Sequence, residues 1–279
     1  MTTGAVAIVA GGGDLPGLLA DAIKASGRRC VVVNLRGESI GLTSPRVDAA
    51  TTVAVGALGK TLAFLKAEAV EEVLLAGGVD KTRLFRTARP DFAALKLLRA
   101  LPDSGDDRLL RAVAQLLEAE GFRVGAPIDW LPEHRATFGR LSGRRLDEVR
   151  GEDFRYGLKI AHAVGALEIG QTVVVRKGCV VAVEAVEGTD DMLRRAGSLA
   201  KRGAVVVKAI KPTQDERLDI PTVGVATLEV MAHSGLRWLG LEVGCLILDK
   251  PKFLKRAKAL GISVYGLSQA DEEARTDHA

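Results

Sequence analysis

The sequence is poor in aromatic residues and in cysteine, and each scarcity excludes a class of function. Aromatic residues make up 4% of the 279 positions, so we expect no stacking platform for nucleic-acid bases. The three cysteines (Cys30, Cys179 and Cys245) are widely spaced, lie in apolar surroundings and show no metal-ligand spacing. We expect them to be small buried side chains in a reducing compartment.

Strong net charge and long apolar runs are missing as well. The formal net charge of +4 indicates a mild preference for anionic ligands and not a DNA-binding surface. No apolar run approaches the roughly 20 residues that cross a bilayer, and no signal peptide opens the sequence. With 47% hydrophobic residues, the chain has enough apolar material for one large or two ordinary domains. We expect a cytoplasmic α/β protein.

The first part of the chain alternates strand and helix signals. Buried-strand runs such as AVAIVA (5–10), CVVVN (30–34) and EVLLAGG (72–78) are separated by segments of helical period. This βαβ rhythm predicts a Rossmann-like parallel sheet with helices on its faces. We assign residues 1–130 to this N-terminal domain.

The pattern breaks in a segment rich in proline, glycine and basic residues, so we place a linker at 131–147. Residues 148–272 then predict a mixed α/β domain. It includes a hairpin that turns at Arg176-Lys177-Gly178, a helix capped by Thr189 or Asp190, and a buried strand at 204–210. We expect the tail at 273–279 to be frayed.

A glycine-rich loop, GGGDLPG (11–17), follows the first predicted strand and opens a helix, where backbone N–H groups and the helix dipole favour anions. It differs from a dinucleotide fingerprint, because Pro16 stands where the third glycine belongs. The second strand also ends in Asn34-Leu35-Arg36, without a ribose-binding acid, which argues against a nicotinamide cofactor. Two interpretations stay open: a tight turn, or contact with phosphate, ribose or base. The candidate contact residues are Gly11, Gly12, Gly13, Asp14, Leu15 and Pro16.

A second strand-end loop, AGGVDKTRL (76–84), should neighbour the first, because ligands collect outside the carboxyl ends of parallel strands. Gly78 and Lys81 are the candidate ligand contacts here. A solvated ion pair between Asp80 and Lys81 explains the charges equally well.

Acids and arginines gather in EAVEGTDDMLRRAG (184–197). Helix capping explains one acid, but four are present, and two arginines follow within a turn. Carboxylates beside guanidinium groups suit a site for Mg²⁺ and a phosphate together, so Thr189, Asp190 and Arg194 are candidates.

The densest charge lies in KAIKPTQDERLDIPTVGVATLEV (208–230). Cleavage of a phosphoanhydride needs cations for the equatorial oxygens and a carboxylate that holds a metal or orients water. A solvated face is the plainer alternative, but Pro212, Pro221 and Gly224 would hold the loop in one conformation. His162 and His233 lie among apolar neighbours and are more simply core or edge histidines. The candidate residues of this stretch are Lys208, Lys211, Gln214, Asp215, Asp219 and Thr227.

These motifs, together with the segment at 235–248, resemble the LpxI family over essentially the whole chain. The resemblance implies a Mg²⁺-dependent hydrolase of lipid A biosynthesis, which splits the diphosphate of UDP-2,3-diacylglucosamine into UMP and 2,3-diacylglucosamine 1-phosphate. It further implies a lipid held between two domains and a water that attacks the phosphorus nearer the sugar. On this reading Lys208, Lys211, Asp215 and Asp219 are catalytic, and Asp190 and Asp215 are candidate metal ligands.

One position departs from the family pattern. The resemblance implies an Asp before Thr227, where this chain has Ala226. The chain is then an inactivated variant, unless another acid serves. A different class of function also stays open, namely a non-catalytic protein that binds a nucleotide sugar or lipid.

The segment KPKFLKRAKALG (250–261) is basic and amphipathic. It suggests peripheral contact with the cytoplasmic face of the inner membrane, with a solvated surface helix as the alternative. A homodimer is expected only because symmetric dimers are common.

Overall fold

The structure, a computed structural model, describes residues 4–79, 91, 94, 106–200, 203–212 and 214–268. The chain forms two compact units. Unit 1 comprises Met1–Pro132 with Asp215–Asp219, and unit 2 comprises Glu133–Gln214 with Ile220–Ala279.

Unit 1 contains a five-stranded parallel sheet in the order β3-β2-β1-β4-β5. Its strands are β1 (Ala5–Ala10), β2 (Cys30–Leu35), β3 (Ala49–Val53), β4 (Val70–Ala76) and β5 (Arg123–Gly125). The helices among its described residues are α1 (Leu15–Ala25), α2 (Leu58–Ala67) and α3 (Asp106–Ala119). Central strands of such a sheet are buried on both faces, which explains why β2 reads as a continuous apolar run. The predicted Rossmann-like parallel sheet is confirmed.

Unit 2 contains a six-stranded mixed sheet in the order β6-β13-β11-β9-β7-β8. The three central strands β9, β11 and β13 are parallel, while β6, β7 and β8 pair antiparallel at the two sides. The strands are β6 (Gly139–Ser142), β7 (Thr172–Arg176), β8 (Cys179–Val183), β9 (Val205–Lys208), β11 (Trp238–Glu242) and β13 (Ser263–Leu267). A separate pair joins β10 (Thr222–Val223) to β12 (Leu246–Ile247). The helices are α4 (Glu148–Ala166), α5 (Gly188–Ala200), α6 (Val225–His233) and α7 (Lys250–Ala259). The predicted mixed α/β domain is confirmed.

Helices cover both faces of the unit 2 sheet. In β9, Val205 and Val207 pack with α4, whereas Val206 packs with the cluster that holds α5, α6 and α7. This division follows from the two-residue period of a strand. Gly157 lets α4 approach closely, because a Cβ there would lie 2.6 Å from a methyl carbon of Val207.

The predicted hairpin is confirmed. Lys177 and Gly178 both have positive φ, of 49° and 70°, as a two-residue turn between right-twisted strands requires. The buried carboxylate of Asp153 accepts hydrogen bonds from both of their backbone N–H groups, at 2.8 and 2.7 Å.

Four features differ from the sequence-based expectations. Cys179 is exposed, although the sequence analysis expects all three cysteines to be buried. Thr189 and Asp190 both lie inside the first turn of α5, and the Thr189 hydroxyl donates to Glu184, so the predicted cap by either residue is wrong. The segment expected as a linker, 131–147, includes β6 of the second sheet. Residues 215–219 belong to unit 1, where Leu218 packs against the core. A four-residue edge strand and a five-residue insertion carry too little periodicity to be read from a sequence.

None of the helices in the described part of the chain is both long enough and apolar enough to cross a membrane.

The two glycine loops of unit 1 meet at the carboxyl edge of its sheet, as predicted. Gly12 N donates to Gly78 O at 2.7 Å, and Gly78 N donates to Gly12 O at 3.1 Å. Gly77 has φ +89°, and a Cβ there would lie 2.4 Å from the carbonyl oxygen of Gly12. The contact of the two loops therefore depends on glycine at this position.

We expect Gly77→Ala to destabilise the protein more than Gly13→Ala does. Both residues have φ +89°, so both substitutions strain the backbone, but a Cβ at Gly13 meets nothing within 4 Å. The additional clash at Gly77 should cost about 1–3 kcal/mol in the free energy of unfolding. Urea unfolding of both variants measures the difference, and equal losses would contradict the close approach.

Candidate active site

Two charged residues are buried where the central parallel strands of unit 2 end. Lys208 is the last residue of β9 and is 5% exposed; Glu242 is the last residue of β11 and is 7% exposed. Leu241 pairs with Lys208, so the two charged residues are near neighbours across the ladder. The carboxyl edge of parallel strands is the common ligand position in open α/β sheets. This edge is therefore the candidate active site of unit 2.

The ammonium group of Lys208 is surrounded by hydroxyl groups. Its Nζ donates to Thr172 Oγ1 at 3.4 Å and to Thr189 Oγ1 at 3.3 Å. Thr189 in turn donates to Glu184 Oε1 at 2.5 Å. Both contacts of Nζ are at the long end of the hydrogen-bond range, so the cation is held loosely.

Glu184 is the counter-charge of Lys208. Burial by itself would raise the pKa of this carboxyl, but the charge of Lys208 and the hydrogen bonds from Thr189 and Thr172 outweigh it and lower the pKa below the ordinary 4.5. Glu184 is therefore ionised at neutral pH, and the Thr189 hydroxyl links its buried carboxylate to the buried Lys208.

Glu242 and His162 form a second polar pair at the same edge. Glu242 Oε2 accepts a hydrogen bond from the backbone N–H of Ile210 at 2.7 Å and lies 2.9 Å from His162 Nε2. The bond to Ile210 holds the backbone as the chain leaves β9 towards Lys211. His162, expected as a core or edge histidine, is thus a polar contact of this edge.

Sequence reasoning missed Glu242 altogether. The signal that could have found it is an acid that closes the buried run WLGLE at the end of a predicted strand. Cys245 lies beside it, with Sγ 3.7 Å from the carbonyl oxygen of Lys208. Burial raises the pKa of the Cys245 thiol to about 12, so this cysteine stays protonated and unreactive.

The loop after β9 is held by hydrogen bonds between two of its own residues, Lys211 and Gln214. Gln214 N donates to Lys211 O at 3.0 Å, and Lys211 N donates to Gln214 Oε1 at 3.0 Å. Gly165 of α4 lies against Lys211, since a Cβ there would be 3.3 Å from Lys211 Cγ. The structure therefore brings Lys211 and Gln214 together in the loop that directly follows Lys208, and both belong to unit 2.

Asp215 and Asp219, by contrast, belong to unit 1. Arg217 takes both carboxylate oxygens of Asp215, with Nε at 2.9 Å and Nη2 at 2.7 Å, and its Nη1 contacts Glu118 at 2.7 Å. The hydrogen bond from Arg217 lowers the pKa of Asp215. Asp219 N donates to Asp215 O at 3.1 Å, which closes the turn. Lys208 and Asp215, which the sequence analysis groups together, thus lie in different units.

The charges at the start of α5 pair mainly with one another. Arg194 contacts Asp191 at 2.6 Å on the exposed face, and Arg195 contacts Glu187 at 2.5 Å. Asp190 lies half-buried in the first turn. Of the candidate residues in this motif, Thr189 is the one that contacts Lys208.

The glycine loop of unit 1 contains the remaining candidates. Gly11 N donates to Ala76 O at 2.8 Å, while Gly13 and Asp14 are exposed at the tip. Leu15 and Pro16 are the first two residues of α1. Lys81 lies outside the described residues.

Ala226 is exposed in the first turn of α6, directly after Gly224 and Val225. The half-buried Thr227 follows it, and its N–H donates to Gly224 O at 3.1 Å. An acid at position 226 would therefore stand at a helix N-terminus, where negative charge is favoured.

A Mg²⁺ site finds no ready set of ligands in this arrangement. Within the described ranges, no group of three or more histidine, cysteine, aspartate or glutamate side chains could hold a metal ion. Of the two candidate ligands, Asp190 is in unit 2, and Asp215 in unit 1 is occupied by Arg217.

The fold and this edge define a two-domain α/β protein with a buried lysine at the carboxyl end of a parallel strand. Family comparison is more specific: the LpxI N-terminal domain matches residues 5–134, and the LpxI C-terminal domain matches residues 137–265. The UDP-2,3-diacylglucosamine pyrophosphatase LpxI of Caulobacter vibrioides is 37% identical over 274 residues, which is 93% of this chain and 96% of that protein. The chain belongs to the LpxI family.

Solved structures give only distant likenesses. An ADP complex of N5-carboxyaminoimidazole ribonucleotide synthetase has a TM-score of 0.29 at 14% identity, over 74% of this chain and 46% of that chain. A biotin carboxylase domain of Hydrogenobacter thermophilus has a TM-score of 0.27 at 14% identity, over 84% of this chain and 42% of that one. The chain spans less than half the length of these structures, and likenesses this weak support no argument about its ligands.

We expect Glu184→Gln to destabilise the protein at pH 7 by about 1–3 kcal/mol, because it removes the charged acceptor of the Thr189 hydroxyl and the negative charge near the buried Lys208. The pKa of Glu184 is lower in the folded protein than its ordinary 4.5. Its contribution to stability is therefore present above about pH 4.5 and is lost as the pH falls through the folded-state value. The difference between wild type and variant should shrink from pH 7 to pH 3.5.

Urea unfolding at both pH values measures this difference. Glu187→Gln is the matched control, since Glu187 lies three residues away but pairs with Arg195 on the surface. We expect the control to change stability by less than about 1 kcal/mol. A Glu184→Gln loss that does not depend on pH would contradict the buried ion pair.

Proposed function

We propose that this chain is a UDP-2,3-diacylglucosamine pyrophosphatase whose turnover is strongly lowered by alanine at position 226. The products would be UMP and 2,3-diacylglucosamine 1-phosphate. The observation that carries the proposal is the family match, which extends over both domains and includes a relative that bears this activity in its name.

The Lys208 edge supports binding of a charged, hydroxyl-bearing substrate. The diphosphate of such a substrate needs cations that neutralise its oxygens as the P–O bond breaks. Lys208 is a cation on a rigid strand end, and its long contacts to Thr172 and Thr189 can be exchanged for stronger ones to phosphate. Gln171 Oε1 is buried without a hydrogen-bond partner among the described residues, so it is an unused acceptor for a sugar hydroxyl.

Glu184 and Glu242 would prepare this edge rather than touch the reacting atoms. Glu184 places a negative charge near the buried Lys208 in the absence of substrate. Glu242 accepts a hydrogen bond from the Ile210 N–H and so orients the backbone that continues to Lys211. Lys211 is the second cation that we assign to the diphosphate. Such prepositioned charges stabilise a transition state without reorganisation.

The Mg²⁺ dependence implied by the family resemblance stays a prediction. A bound Mg²⁺ would neutralise phosphate charge and polarise the P–O bond. Because the candidate ligands Asp190 and Asp215 are not grouped with a third acid among the described residues, no step proposed here passes through a metal ion.

Ala226 is the reason for proposing weak turnover. An Asp at this position would supply a carboxylate at the N-terminus of α6, where it could take a proton from the attacking water. Loss of a general base typically lowers a rate by about 10²–10⁴-fold. A chain that retains Lys208 and Lys211 would still bind the substrate.

We expect Ala226→Asp to raise hydrolysis of UDP-2,3-diacylglucosamine by roughly 10²–10⁴-fold. It should not harm folding, because Ala226 is exposed and an acid in the first helical turn stabilises by about 0.3–1 kcal/mol. Release of UMP, measured under single-turnover conditions, tests the rate, and thermal unfolding tests the stability.

Ala226→Asn is the matched control, since it is nearly the same size but uncharged. We expect no gain in turnover from it. If the Asp variant and the present chain hydrolyse the substrate at equal and rapid rates, another acid serves and Ala226 is not the cause of weak turnover. If both bind but neither hydrolyses, the non-catalytic binding function is correct.

We expect the present chain to bind UDP-2,3-diacylglucosamine and Lys211→Met to bind it about 10–100-fold more weakly, because a hydrogen bond to a charged group contributes about 1.5–3 kcal/mol. Native mass spectrometry of the purified protein with added substrate measures the affinities. Lys159→Met, an exposed lysine on α4, is the control and should bind like the parent chain. Equal affinity for all three proteins would remove Lys211 from the site.

A further inference from the structure

A basic recess lies at the edge of the unit 2 sheet, between β6 and the turn that leads from α7 into β13. Its volume is about 620 Å³. Among the residues that line it are Arg140, Ser142, Gly143, Arg144, Lys258 and Ser263. We call this feature the basic recess.

The charge of the basic recess has one sign. Three of its lining residues are cations, and none of the described residues that line it is acidic. Arg140, Arg144 and Lys258 are all exposed to solvent. Three cations around one open depression repel one another, so an anion that binds among them relieves an existing cost.

Arg144 is held in place at this recess. Its backbone N–H donates to Ser263 Oγ at 3.0 Å, and its carbonyl accepts from Tyr265 Oη at 2.7 Å. Its guanidinium lies 5.9 Å from the centre of the Trp238 ring, within cation–π range. The preceding Gly143 has φ +85°, and a Cβ there would lie 2.5 Å from Ser263 Cα. The backbone of this turn is therefore already ordered, so an anion that binds here loses little free energy to ordering of the chain.

Helix α7 extends the positive surface from the recess. Lys255 is exposed and lies three residues before Lys258, on the same side of the helix. Two other cations of α7 are engaged elsewhere, because Lys250 donates to Arg135 O at 2.7 Å and Arg256 pairs with Glu229 at 2.6 Å. The exposed cations of α7 therefore run from Lys252 in its first turn to Lys258 beside the recess.

The basic recess and the candidate active site lie at opposite ends of the same strands. Ser263, at the recess, pairs with Trp238 at the start of β11, whereas Lys208 pairs with Leu241 near its end. A strand rises about 3.3 Å per residue, so roughly 10 Å of sheet separates the two features. The recess is thus not a part of the Lys208 cluster.

We propose that the basic recess docks the protein on membranes through the phosphate groups of anionic phospholipids. Charge complementarity favours this partner, since the described lining residues include lysine and arginine but no acid. No aromatic residue is among the lining residues that the structure describes, which argues against nucleic-acid bases as the target. Four-residue β6, with its exposed arginine, is also a poor template for a strand of another protein. The proposal does not depend on the activity of the chain.

The experiment is flotation of the full chain with vesicles. We expect the wild type to float with vesicles of phosphatidylcholine containing 30 mol% phosphatidylglycerol, and to remain at the bottom with phosphatidylcholine alone. Each cation near such a surface contributes about fivefold in binding, so Arg140→Glu/Lys258→Glu should bind at least about 25-fold more weakly. The vesicles contain no UDP-2,3-diacylglucosamine, so a failed activity assay has no influence on this result.

The matched control is Lys60→Glu/Lys159→Glu, which changes the net charge equally at exposed positions on α2 and α4. We expect it to retain most of the binding, and both double variants to unfold like the wild type. The proposal is overturned if the wild type does not float with anionic vesicles, if both double variants lose binding equally, or if a single-stranded oligonucleotide binds at the recess and anionic vesicles do not.

Discussion

The buried pair of Lys208 and Glu184 is the interaction on which the candidate site depends. Removing two charges from water costs more than their attraction returns unless hydroxyl groups complete the environment, and here Thr172 and Thr189 do so. A pair of apolar side chains could fill the same space with no such cost. The arrangement is therefore better explained by what it offers a ligand, a pre-placed cation, than by stability.

The parallel sheet is what makes this placement possible. Because β9 and β11 run in the same direction, the charges that close them emerge at one edge, and α4 adds His162 above it. Glu242 then links the strand end to the loop that follows β9 by one backbone hydrogen bond. At the other end of the same strands, the basic recess is built from turns, and it offers cations of a different kind: exposed, and uncompensated by acids among the described lining residues.

Under the proposed function, binding and chemistry would depend on different elements of unit 2. The cations that would hold a diphosphate lie on β9 and just after it, whereas the position expected to hold an acid begins helix α6. Alanine or an acid at this position would leave the packing of the fold unchanged, because the position is exposed.

The sequence by itself determined buried strands such as β1, β2 and β9, the hairpin turn and the meeting of the two glycine loops, because these depend on local period, on positive φ at Gly178 and on strand direction. It also made Lys208 a candidate. Only the tertiary structure decided the partners of that lysine, because Thr172 lies 36 residues and Thr189 19 residues before it in the chain. The same holds for Glu242 and His162, which are 80 residues apart. Such contacts arise from chain packing in three dimensions, which leaves no periodic trace in the sequence.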